Sequence, residues 1–131
     1  MYKGDFLREV KKQFSSLLVF VMFFCSAPKV YSAELLMIES ASCEWCELWH
    51  EEVGVIYSKT PEGQFAPLKR IDIADFSSSL KAKIRFPNFT PTFVILNNGE
   101  EIARIIGYAG EDFFWDLLHD ALKKAGFQIK D

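Results

Sequence analysis

With 131 residues, half of them hydrophobic and 15% aromatic, the chain has the apolar surface for one domain with a modest core and little room for a second. Its formal net charge of −3 becomes −6 over residues 34–131, which hold ten Lys or Arg against sixteen Asp or Glu. That balance argues against a nucleic-acid partner, because such affinity rests largely on neutralising phosphates with Lys and Arg.

The chain opens with a basic head (Lys3, Arg8, Lys11, Lys12), the apolar run SSLLVFVMFFCSA and the small residues of VYSA. Residues 1–33 therefore read as a secretory signal peptide cut near Ser32 or Ala33, with residues 34–131 as the exported domain and the periplasm as its location. The alternative is an anchor that keeps the domain on the membrane facing the periplasm. A spanning helix needs about 20 apolar residues, however, and Pro28 breaks the run before that length. Cys25 leaves with the signal, so Cys43 and Cys46 are the only thiols of the exported protein and have only each other as intramolecular partners.

ELLMIES, from Glu34, is a short apolar run suited to a strand covered on both faces. CEWCELWHEEVGVIYS follows, with Cys46, Trp49, Val53 and Ile56 at helical spacing, so a strand runs straight into a helix. KTPEGQFAP is read as a break, LKRIDI as a second strand and DFSSSLKAKI as a short polar helix or loop. TPTFVILNNGEEIARIIGY holds two β-rich runs around Asn97, Asn98 and Gly99, the chemistry of a tight hairpin. GEDFFWDLLHDALKKAG ends the chain as an amphipathic helix, acidic at its start, basic at its end and stopped by Gly126. The expected order is βαβαββα.

The pair Cys43 and Cys46 carries the chemistry. A thiol reacts as its thiolate, and a helix N-terminus offers free backbone N–H groups and partial positive charge to an anion, which makes Cys43 the expected nucleophile. Cys46, one helical turn deeper on the same side, is placed to resolve a mixed disulfide formed at Cys43. A permanent staple is the competing reading, but a cross-link stabilises less as its loop shortens, and this loop has two intervening residues. Glu39, Glu44, Glu47, Glu51 and Glu52 surround the pair, with no Lys or Arg between Lys29 and Lys59. Their charge opposes a thiolate and so favours a reducing couple, unless the glutamates are simply solvated surface.

A metal module using Cys43, Cys46 and His50 is a second class of function, since two thiolates and an imidazole suit zinc or copper. A fourth ligand is missing, His50 reads as an ordinary surface side chain, and no metal or other cofactor beyond the Cys43–Cys46 disulfide is expected. Trp45, between the cysteines, is expected to be partly exposed as an apolar lip for a partner. Trp49, Phe113, Phe114 and Trp115 read as core or near-surface packing.

The element order, a Cys-x-x-Cys at the first strand-to-helix junction and Thr90-Pro91 opening the third strand together resemble the thioredoxin fold, an α/β fold with a mixed four-stranded sheet flanked by helices. More narrowly, CEWCELWHEEVG, TPTFVI and GYAGEDFFWDLL are similar to the periplasmic thioredoxins encoded with bacterial sulfur-oxidation (Sox) systems, the SoxS type. The resemblance implies a thiol:disulfide oxidoreductase acting on a protein substrate, a Sox sulfur-carrier protein, with electrons from a membrane conduit of the DsbD or CcdA type. A general periplasmic reductase for cytochrome c assembly is the alternative. The resemblance also implies a cis peptide bond at Pro91 beside the cysteines, with Thr90 offering backbone groups to an extended substrate; a trans proline opening a strand is the other reading.

The chain departs from the thioredoxin pattern at three places. Met37 stands where thioredoxins keep a buried Asp, Ser42 replaces the usual Trp, and Glu44-Trp45 replace Gly-Pro. Glu39, on the same strand, is the candidate to move the proton that the missing carboxylate would move.

Overall fold

The computed structural model describes residues 33–129. The signal-peptide reading concerns residues that lie outside this range, apart from Ala33, which opens the first strand. Among the described residues no helix is long and apolar enough to cross a membrane.

Strand β1, Ala33–Glu39, is the expected apolar run. Its odd-numbered residues Leu35 and Met37 belong to one buried cluster and its even-numbered Leu36 and Ile38 to another, so alternation along one strand divides the core into two layers. β1 pairs in parallel with β2, Leu68–Asp72, and antiparallel with β3, Thr92–Asn97. β4, Glu100–Ile106, completes the mixed sheet, whose order is β2-β1-β3-β4. The β3–β4 connection is the tight hairpin that the sequence predicts. Asn98 at φ 51° and Gly99 at φ 80° both take positive φ, as a type I′ turn requires.

Helix α1 covers residues 44–57 in three pieces: α-helical Glu44–Trp49, a π-helical segment His50–Gly54, and a final α turn Val55–Tyr57. The wide π turn shifts the buried stripe by one residue. Cys46, Trp49 and Val53 are buried as periodicity predicts, but Tyr57 is the next inward residue, and Ile56, expected on the inner face, is 40% exposed. Helix α2, Pro61–Phe65, occupies a stretch read as a break; Thr60 caps it by accepting from the Gly63 amide, and Pro61 sits in its first turn, where its missing N–H costs nothing. A 3₁₀ turn, Ile73–Asp75, and the four-residue α3, Ser78–Lys81, form the polar connection before β3.

Helix α4, Glu111–Lys123, is the closing amphipathic helix. With α1 it shares the larger cluster, in which Trp49 packs against Phe93 and Phe114 at ring-centroid distances of 5.2 and 5.5 Å. Fully burying a side chain of Leu or Phe size stabilises by about 1.5–3 kcal/mol. The aromatic contacts at Trp49, directly after Cys46 on the inner face of α1, therefore fix that helix against the sheet. Phe114 is buried and Trp115 half-buried, whereas Phe113, expected to pack, points to solvent because it falls on the outer face of α4.

Candidate active site

β1 ends at Glu39, and four residues later Cys43 caps α1. This short connection places the first cysteine where the strand delivers the chain to a helix start. Cys43 and Cys46 form a disulfide with S–S 1.98 Å and Cα–Cα 5.2 Å. The Cys46 amide donates to Cys43 Sγ at 3.1 Å, which is the interaction that supports negative charge on that sulfur once the bond is opened. Both cysteines are buried in the larger core cluster, Cys43 at 8% and Cys46 at 2% exposure.

The loop before β3 closes one side of the site. The Thr90–Pro91 bond is cis, the isomer implied by the resemblance. Ser40 Oγ and Thr90 Oγ1 lie 3.0 Å apart, tying this loop to the β1–α1 connection. The Gly107 amide donates to the Pro91 carbonyl at 2.8 Å, which draws the end of β4 alongside. Trp45 is 59% exposed, as expected of a lip. Two further apolar side chains are presented by the chain neighbours of these contacts: Phe89, 66% exposed, next to Thr90, and Ile106, 62% exposed, next to Gly107. Neither was read from the sequence as part of the site. A large apolar residue directly before Thr-Pro, and another directly before the glycine that ends β4, are the signals that would have found them.

The acidic surround is less uniform in space than along the chain. Glu39 Oε1 accepts from Arg70 Nη2 at 2.8 Å and Nε at 2.9 Å, and Glu39 Oε2 lies 2.6 Å from His50 Nε2. Arg70 comes from β2, where it is the register partner of Met37, and its role depends on strand pairing rather than on sequence proximity. Glu52 accepts from the Tyr108 hydroxyl at 2.5 Å, and burial, reinforced by that carboxylate, raises the Tyr108 hydroxyl above the usual phenol range. Glu44, Glu47 and Glu51 remain exposed.

His50, expected as an ordinary surface residue, is instead half-buried and engaged with Glu39. The metal alternative relied on Cys43, Cys46 and His50; here the sulfurs are bonded to each other and His50 Nε2 turns to a carboxylate. Among the described residues no group of three or more His, Cys, Asp or Glu is arranged to hold a metal ion.

No protein-family model matches the chain, and no curated protein matches it. Solved structures do. The reduced form of the periplasmic thioredoxin SoxS from Paracoccus pantotrophus is 37% identical, superposes with a TM-score of 0.66, and aligns over 71% of this chain and 98% of its own. A thioredoxin from Fasciola hepatica is 20% identical with a TM-score of 0.54, over 70% of this chain and 82% of its own. The oxidised thioredoxin of Plasmodium falciparum is 19% identical with a TM-score of 0.54, over 68% and 80%. These last two speak to the fold alone. With a Cys-x-x-Cys disulfide at the head of α1, the chain is a thiol:disulfide oxidoreductase of thioredoxin-like fold.

Proposed function

The chain belongs to the SoxS-type periplasmic thioredoxins, and we propose that it is an exported reductase that restores a sulfur-carrier protein of a bacterial sulfur-oxidation system. The observation that carries this reading is the 37% identity over 98% of the Paracoccus SoxS chain. The target presents a cysteine blocked or oxidised as a disulfide. Electrons reach the domain in the periplasm from a membrane thiol conduit of the DsbD or CcdA type.

The chemistry follows from the two sulfurs. With the pair reduced, Cys43 Sγ attacks a target disulfide, forming a Cys43–target bond while the displaced sulfur leaves with the electron pair of the broken bond and takes up a proton. Cys46 Sγ then attacks Cys43 Sγ, re-forming the observed disulfide and releasing the target thiol. Two electrons pass to the target and the conduit returns them. Trp45, Phe89 and Ile106 form the apolar rim that a target covers, and Thr90 and Pro91 offer backbone to an extended segment of it.

The test is a trap. A Cys46→Ser variant, exported in the source bacterium, holds its target through Cys43 because the resolving thiol is gone. Recovery of a sulfur-carrier protein in the mixed disulfide is the expected result. Recovery of cytochrome assembly factors instead would replace the specialised role with general reduction.

A further inference from the structure

Resolution of the mixed disulfide requires Cys46 to lose its thiol proton, yet Cys46 is in the core layer and the neighbouring inward residue of β1, Met37, offers no acceptor. A cleft of about 220 Å³ opens beside the two cysteines. The titratable and charged groups facing it are Glu39 from β1, Arg70 and Asp72 from β2, and Glu47 and His50 from α1. Its volume accommodates several waters at about 30 Å³ each.

These five groups are not equivalent. Asp72 Oδ1 accepts the Ala74 amide at 2.8 Å and caps the 3₁₀ turn, and Glu47 is exposed with its side chain in solvent. Arg70 occupies one oxygen of Glu39, and the other oxygen lies 2.6 Å from His50 Nε2. A Cβ added at Gly54 would lie 3.2 Å from His50 Nδ1 and 3.3 Å from Trp49 Cζ3, so glycine at this position leaves space beside the second ring nitrogen.

We propose that the His50–Glu39 pair, oriented by Arg70, is the proton acceptor for Cys46 in the resolving step, reached through the water of this cleft. A carboxylate bonded to an imidazole fixes the ring and lets it serve as a proton acceptor. In the step, Cys46 Sγ–H gives its proton through water to the pair. The Cys46 Sγ–Cys43 Sγ bond forms as the Cys43 Sγ–target bond breaks, and the target thiolate leaves with the electron pair and is protonated from the pair or from solvent. Arg70 is a positioning residue. The inference rests on the dithiol chemistry and not on the identity of the target.

The test uses the reduced protein and a small aromatic disulfide whose thiolate is coloured, mixed rapidly so that two releases are resolved. The first reports attack by Cys43 and the second reports attack by Cys46. Glu39→Gln and His50→Gln are expected to slow the second release about 10²-fold at neutral pH, the lower range of general-base contributions, with the first release changed far less. Both variants should regain rate as pH rises, and the double variant should be no slower than either single. In the wild-type protein the second release should level off at a pH below the range in which a free thiol ionises. A wild-type rate that climbs tenfold per pH unit up to that range would overturn the proposal without any variant. Equal slowing of the variants at every pH, or no slowing at all, would overturn it as well.

Discussion

Truncating Trp45 to Ala tests whether the apolar rim binds the protein target. An aromatic side chain of this kind offers about 150–250 Å² for burial. At 59% exposure Trp45 leaves roughly 150 Å² of it uncovered, worth up to about 4 kcal/mol at ~25 cal/mol per Å² if a partner covered all of it. Ordering of the indole and incomplete coverage reduce that to roughly 1–2 kcal/mol in a truncation experiment. Trp45→Ala should therefore lower kcat/KM for a disulfide-bearing protein substrate by about 5–30-fold, mainly through KM, because 1.4 kcal/mol is tenfold. A small aromatic disulfide, which needs only the sulfurs, should be reduced at the wild-type rate. Equal losses on both substrates would refute the reasoning by placing the effect in the dithiol itself. Unchanged protein reduction would show that no target covers this side chain.

Two further outcomes follow from the scaffold. Gly63→Ala should destabilise severely, since its Cβ would stand 1.9 Å from the Tyr57 carbonyl oxygen, a backbone atom held by the Thr60 hydroxyl at 2.8 Å; a loss of about 3 kcal/mol or more, seen as a melting point lower by ~10 °C or more, is expected, and a Tm within a few degrees of wild type would contradict it. Burial alone would raise the Glu101 carboxyl, but the two Arg104 bonds at 2.8 and 2.9 Å and the Arg85 amide outweigh it and hold the carboxyl below its usual range. Its folded value is depressed, so the stability it lends is complete above the ordinary carboxylate range and is lost as pH falls through the folded value. Glu101→Gln should cost about 1 kcal/mol at neutral pH and flatten the acid limb of a denaturant-melt series; an unchanged acid limb would count against the pairing.

The parts of the fold that were legible in the sequence are those governed by local rules. β1 announces itself because burial on both faces demands a continuous apolar run, and the hairpin because Asn98 and Gly99 supply the positive φ that a two-residue turn needs. Cys43 and Cys46 were legible for the same reason: a strand, a short turn and a helix start are all local. What stayed hidden depends on context. The π segment moved Tyr57 rather than Ile56 into the core, and no 3.6-residue period can show an inserted residue. α2 was masked by Pro61 and Gly63, residues that signal a break unless the cap at Thr60 and the close approach to Tyr57 are seen. Phe89 and Ile106 lie about 45 and 60 residues from Trp45 in sequence, and only the Pro91–Gly107 and Ser40–Thr90 contacts bring their segments to one end of the sheet.

The electrostatics of the site bear on the direction of electron flow. Counted along the chain, five glutamates crowd the cysteines, and their repulsion of a thiolate would favour a strongly reducing couple. In the folded domain Glu39 is paired with Arg70 and His50, and Glu52 is bonded to Tyr108. Glu44, Glu47 and Glu51 remain, all exposed, and charge in solvent is screened over about 8 Å at physiological salt. Against them stands the Cys46 amide, 3.1 Å from Cys43 Sγ, which favours the thiolate. The acidic surround thus supports reduction with less weight than the linear count suggests. A chain with Arg70 changed to Met frees the Glu39 charge beside the cleft, so its dithiol should become more reducing than the wild type, measured by equilibration against glutathione. A potential that moved the other way would show that Arg70 reaches Cys43 only through its effect on backbone geometry, and the charge account would fail with it.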